Sequence, residues 1–548
     1  MGSDEQMEEL RQRLPGARVI RRGRRRGLIA LPRVLGVAAL FSTAYGNVGS
    51  SIYYALGVTA LFALGLTPAV FLFTGILFAF TALTYAEGTA AIPEAGGSSS
   101  FARQGFNELV SFIAAWALLL GYVVTISISA FTVPNYLGVF LPLFRSYPWN
   151  AIGGIAVIAF WMVINIRGIK ETAFINTLLA ILDIITQVLL VILGVLLLFD
   201  VGVLSKNIIW GSVPTWGQAI YGVSFAMIAY TGIETVSNMA EEAAAPEKTI
   251  PRSITLVFLT VLIIFAGISF VALSAMPVYP IPEPVGGWEQ ITPVQREAIL
   301  QQWTAKNPEV RAAREEWWLS LPREEQVALA RQLPQQAWVT DLGLIYLENP
   351  VLGIVQRMPV GDTARLWLER YIGFLAAMIL FVATNAGIIG VSRLTFSMGL
   401  HQQLPSVLSK IHRRFRTPYV AIAVFSVIAA ILIIPGRITF LAEMYVFGAV
   451  LAFAMAHVSI IAMRIRRPDL PRPWMIPGNI TIRGVKIPVT AVLGGLGTFI
   501  TWAIIVYTRT AGRWLGLTWL AIGIIIYLLY RRSKGLPITQ TVRREARF

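Results

Sequence analysis

Tyr45-Gly46-Asn47-Val48-Gly49-Ser50-Ser51 stands inside an apolar segment running from about residue 34 to residue 58. Two glycines and small polar side chains at mid-segment are a poor basis for a continuous helix. Inside a bilayer, freed backbone must line a protein-buried or watery cavity, because hydrocarbon offers no partner for an N–H or C=O. The stretch therefore predicts a discontinuous helix that presents N–H groups to a ligand. Its alternative reading is close helix packing through small residues. A counterpart lies in the segment 217–240, at Phe225-Ala226-Met227-Ile228-Ala229-Tyr230-Thr231-Gly232-Ile233-Glu234. Interruptions in the first and sixth apolar segments are what an inverted five-helix repeat predicts, with a substrate held between the broken helices near the midplane.

Ten further apolar segments of spanning length surround these two. They lie near 67–92, 109–134, 151–166, 174–199, 252–276, 371–400, 418–435, 439–463, 488–508 and 514–530. Each is close to the ~17 to 25 residues that a hydrocarbon core of ~30 Å requires. Twelve spans make an all-α polytopic membrane protein. Composition agrees, with 56% hydrophobic and 14% charged residues in 548, against about 25% charged in soluble domains. A soluble enzyme and a nucleic-acid binder are excluded.

The net charge of +16 is explained by position. With the N-terminus inside, inner tails and loops hold nine basic residues before Val34, then Arg103, Arg167, Lys170, Lys248, Arg252, Lys410 and the runs after Arg464 and Arg531. Short outer loops hold few. That asymmetry predicts both termini on the cytoplasmic side of the cytoplasmic membrane. The organisation expected is a cytoplasmic tail (1–33), helices one to seven (34–278), an extracellular helical insertion (279–366), helices eight to twelve (367–530) and a cytoplasmic tail (531–548). The insertion is polar and rich in Trp, with apolar positions at helical spacing; its plainest reading is an addition without a role in transport.

No cysteine is present, and His401, His412 and His457 lack metal-ligand spacing. No nucleotide loop or catalytic triad appears, so no catalytic residue, metal or cofactor is expected, and the chain reads as a non-enzyme. Ionisable residues within spans are default functional candidates: Glu87, Asp183, Glu234, Arg393 and Glu443. Glu87 and Glu234 lie near helix ends, where a structural role is the plainer expectation. Arg393 is expected to snorkel or to meet a loop carboxylate, and Glu443 to be solvated. Asp183 is about ten residues into its span, too deep to snorkel. Among aromatics, Phe225 and Tyr230 are expected to gate the cavity, Tyr122 and Tyr445 to pack.

An ordered series of motifs resembles the amino acid-polyamine-organocation superfamily, in particular its bacterial amino acid permeases. It comprises the first-span glycines, Tyr85-Ala86-Glu87 leading to Pro93-Glu94-Ala95-Gly96-Gly97, Asn165-x-x-Gly168-Ile169-Lys170, and Tyr230-Thr231-Gly232-Ile233-Glu234 with Glu241-Glu242. Ser392-Arg393, Leu404-Pro405, Thr417-Pro418 and Arg467-Pro468-Asp469-Leu470 follow. The resemblance implies a leucine-transporter-like core of ten helices plus two peripheral ones, moving an amino acid by alternating access. Two departures stand out. The family's Gly-Ser-Gly is here Gly49-Ser50-Ser51, and the position of a lysine in many relatives, seven residues after Asn176, is Asp183.

On this reading N–H groups around Gly49, Ser50 and Ser51 receive the substrate carboxylate, and Gly46 belongs to the same substrate site. Phe225, Ala229, Tyr230, Thr231 and Gly232 line the rest, with carbonyls near Ala229 and Tyr230 taking the ammonium. Asp183 is the expected coupling residue, for a proton or alternatively for a sodium ion. Other classes stay open: a potassium or other cation transporter, a polyamine or organocation carrier, and a nutrient sensor using the insertion.

Overall fold

The computed structural model describes residues 35–168, 173–284, 287–288, 291–305 and 308–542. The expected tail 1–33, Ile169 and Lys170 of the motif that begins at Asn165, and the end of the tail 531–548 lie outside the described residues.

Among the described residues, ten helical stretches are long and apolar enough to cross a membrane. The first, Val37–Ala91, contains α1 (Val37–Gly49), α2 (Ile52–Ala63) and α3 (Thr67–Ala91). At about 1.5 Å per residue it would extend ~80 Å if straight, more than twice a hydrocarbon core. It is interrupted at Leu64–Leu66, where Leu64 takes φ +46°. Next come α4 (Glu108–Leu137), α5 (Trp149–Arg167), α6 (Ala173–Leu197), α7 (Trp216–Ala226), α8 (Glu234–Asn238) and α9 (Pro246–Ala275). The inserted segment supplies α10 (Pro293–Ala305), α11 (Pro308–Ser320) and α12 (Arg323–Gln332). Beyond it run α13 (Asp362–Leu400), α14 (Tyr419–Ile433), α15 (Ile438–Arg466), α16 (Val489–Thr508) and α17 (Thr510–Ser533). The helix α14 is apolar but shorter than the ten. The helix α13 begins at Asp362 rather than near 371, because its first polar turns continue the helix beyond the apolar stretch.

Burial separates the helices into two classes. Nearly every side chain of α4 from Ser111 to Tyr136 is buried, and its hydroxyls are satisfied inside the protein: Thr125, Ser127 and Thr132 donate to carbonyls four residues earlier. By contrast α6 and α16 expose Ile185, Ile192, Leu196, Phe499 and Ile500. Continuous apolar surface of this kind is a liability in water and the natural face toward lipid.

The inserted segment is tied to its own ends. Strand β1 (Val278–Pro280) pairs antiparallel with β2 (Trp338–Thr340), bracketing the three helices. Trp318 packs edge-on against Trp338, and Arg357 joins Glu315 (3.0 Å) to Asp341 (2.7 Å). A second hairpin, β3 (Asn479–Ile482) with β4 (Val485–Pro488), precedes α16.

Candidate functional site

The two interruptions expected from glycine differ in kind. At the first, Ser50 and Ser51 keep right-handed helical dihedrals, and the Ser51 N–H donates to Val48 O (3.1 Å). The Ser50 hydroxyl donates to Asn47 O (3.0 Å). The helix bends there without opening a full turn. At the second, Thr231 is extended and Gly232 takes φ +116°, which L side chains rarely adopt. The Gly232 N–H donates to the Glu234 carboxylate (3.1 Å), so the first side chain of α8 folds back onto the turn that precedes the helix.

Asn47 ties the interruptions together. Its amide donates to Thr235 Oγ1 (3.0 Å), while its Oδ1 is buried and has no partner among the described residues. A Cβ on Gly232 would stand 2.8 Å from the Asn47 amide nitrogen. Glycine is therefore required twice over, by dihedral and by space.

Asp183, fully buried on α6, spans the first interruption from outside. It accepts the Tyr53 hydroxyl (2.6 Å), the Tyr45 hydroxyl (2.9 Å) and the Gln187 amide (2.6 Å). Tyr45 lies on α1 and Tyr53 on α2, so one carboxylate holds both halves of the bent helix. Among the described residues it has no cationic partner within ion-pair distance.

A cavity of about 520 Å³ opens beside these elements on the face away from the insertion, reached by the far end of α13. Gly46, Tyr122, Thr235, Asn238 and Asn385 line it, and Asn165 donates to Asn385 Oδ1 (2.5 Å). At its rim Arg393 pairs with Glu242 (2.9 Å). Neutral amides and hydroxyls inside, with a compensated ion pair at the edge, suit a polar solute of low net charge.

Of the residues expected at the site, Gly46 lines this cavity. Gly49, Ser50, Ser51, Ala229 and Thr231 are buried nearby in sequence but outside its lining. Tyr230 is turned away: its hydroxyl donates to Phe71 O (2.8 Å) and its ring packs against Phe78 and Phe265. Phe225 stacks on Phe62 (4.7 Å between centroids) toward the insertion face, under the Arg509 guanidinium. Tyr122, expected to pack, lines the cavity and hydrogen-bonds Asn238. Tyr445 bonds Thr125 (2.7 Å). Sequence reading missed Asn47, Asn165 and Asn385; an uncharged amide in an apolar run carries weaker signal than a charge, although Asn47 stood between the glycines.

The family model described as amino acid permease matches residues 35–294 and 336–529, more than half of the chain. The chain belongs to the amino acid permease family. The permease is 26% identical to the branched-chain amino acid permease of Bacillus subtilis (strain 168) over 92% of this chain and 94% of that protein. It is also 26% identical to the branched-chain amino acid permease of Lactococcus lactis subsp. cremoris (strain MG1363), covering 91% and 93%. The methylthioribose transporter of Bacillus subtilis is 22% identical over 89% and 91%. In this permease the internal stretch left out of the family match, 295–335, holds most of α10 together with α11 and α12.

Proposed function

We propose that the permease is a secondary active transporter that moves a neutral, branched-chain type amino acid across the cytoplasmic membrane by alternating access, with proton coupling through Asp183. Twelve passes follow if Val37–Ala91 crosses twice, Tyr419–Ile433 once and each of the other nine stretches once. An even number leaves both termini on one side, and the basic residues make that side cytoplasmic. The first ten passes then form the 5+5 inverted repeat, with α1/α2 and α7/α8 as the broken pair. The relatives named for branched-chain amino acids support the substrate class.

The observation that carries the coupling is the grip of Asp183 on Tyr45 and Tyr53, one on either side of the Ser50–Ser51 bend. An ionised carboxylate accepts both hydroxyls strongly; protonation weakens both bonds at once. The two halves of the broken helix then move independently, which closing the cavity requires. The alternative cargoes are separated by counterflow of radiolabelled leucine into proteoliposomes, measured beside rubidium uptake. Leucine exchange without rubidium flux is the expected result, and rubidium flux without amino acid exchange would overturn the proposal.

A further inference from the structure

A second cavity of about 610 Å³ lies between the insertion and the ends of the membrane helices. Its volume falls in the ~300 to 1,000 Å³ range of small-molecule sites. The helix α10 forms one wall, and Phe62, which stacks on Phe225, lies on the lining opposite. Six charged residues line it, and four are mutually compensated. Arg437 pairs with Glu297 (3.4 Å), and Arg509 faces Glu443 (4.0 Å). The remaining two are one cation and one anion, Arg296 and Glu348.

Neither makes an ion pair among the described residues. Arg296 donates its Nε to Gln336 O (3.3 Å), and Glu348 is hydrogen-bonded by Asn150. Burial holds Arg296 below the usual guanidinium range and pushes the Glu348 carboxyl up to about 7. A desolvated guanidinium and a desolvated carboxyl, neither with a counter-ion, are both stabilised in their charged forms by a ligand that brings one charge to each. A zwitterion does so, while leucines 61, 300, 344 and 347 offer apolar contact to its side chain.

We infer that the permease carries a second amino acid site in this vestibule, where Arg296 receives the α-carboxylate and Glu348 the α-ammonium of an arriving substrate. The inference rests on the amino acid cargo proposed above and on the extracellular side that the proposed topology of twelve passes gives the insertion. Arg296 lies in the stretch outside the family match and Glu348 inside it. Both lie in the segment 279–366, so the insertion supplies the two charges of a site that the membrane helices alone do not form.

The chain has no cysteine, so Gln301→Cys on the cavity wall is its only thiol. The experiment follows its labelling by a membrane-impermeant maleimide on intact cells producing the full chain. L-leucine should slow labelling about tenfold, the scale of a lost or gained charge-assisted contact. Leucinamide and 4-methylpentanoate, each lacking one charge, should not. Adding Arg296→Gln or Glu348→Gln should abolish the protection while leucine counterflow at saturating substrate persists. Unslowed labelling in a protein that performs counterflow would overturn the inference, as would protection surviving both substitutions. The amide comparison needs neither variant: equal protection by leucinamide is contrary on its own. Protection without counterflow would overturn the proposed transport and leave the vestibule standing; absence of both overturns both.

Discussion

Glu348 is a carboxylate whose neutral form the fold prefers, and that preference is a statement about stability. Its folded pKa, about 7, lies above the ordinary 4.5. Below 4.5 both folded and unfolded chains hold the proton, so nothing is lost there. As pH rises from 4.5 to 7 the unfolded chain ionises first, and stability falls by up to ~3 kcal/mol before levelling off. Glu348→Gln has no proton to lose. Thermal unfolding of purified protein followed between pH 5 and 8 should show the wild type declining relative to this variant, and parallel curves would contradict the assignment. Gly232→Ala acts through backbone and space together, with φ +116° and a Cβ 2.8 Å from the Asn47 amide. A cost of ~1 to 3 kcal/mol and a loss of leucine counterflow are expected; a variant with wild-type melting and exchange would show that the second interruption tolerates a side chain. Gly232 was legible in the sequence because only glycine occupies such a dihedral freely. Its partner Asn47 was not, since the contact to Thr235 joins positions 188 residues apart whose relative placement no local pattern encodes.

At the scale of elements, a buried ion pair ties α3 to α15. Arg464 and Glu87 are both buried and form a two-pronged pair, with Arg464 Nε at 2.8 Å from Glu87 Oε1. Glu87 also accepts the Ile476 N–H (2.9 Å), and Arg464 donates to Lys486 O (2.7 Å) in the β3–β4 hairpin. The pair therefore pins a hairpin as well as two helices. Glu87→Gln leaves a buried guanidinium without its anion, a loss of about 3 to 5 kcal/mol. Faster proteolysis within 467–488 is the expected signature, and a cleavage rate equal to wild type would show that the hairpin is held by other contacts. The helices themselves were readable because long apolar runs have few alternatives. The start of α13 was not, since Asp362 and the polar turn after it contribute helix without hydropathy. The vestibule was equally hidden: α10 showed its periodicity, but Arg296 meets Glu348 across a cavity only when the insertion is folded.

For the whole molecule, the cavity lies on one side of the paired interruptions while Phe225, Phe62 and Arg509 pack on the other. In the transport cycle proposed above, that asymmetry would be one half of alternating access, with Asp183 as the proposed catch between α1 and α2. The sequence could single out Asp183 by its depth in an apolar segment, but not Tyr45 and Tyr53, whose hydroxyls reach it from two helices 130 or more positions away. The most direct measurement is leucine accumulation in proteoliposomes under an imposed proton gradient, comparing the wild type with Asp183→Asn. The wild type should concentrate leucine, while the variant exchanges it without accumulation. Accumulation by the variant under the same gradient would contradict the coupling role of Asp183, and accumulation that follows a sodium gradient at constant pH would contradict the proton.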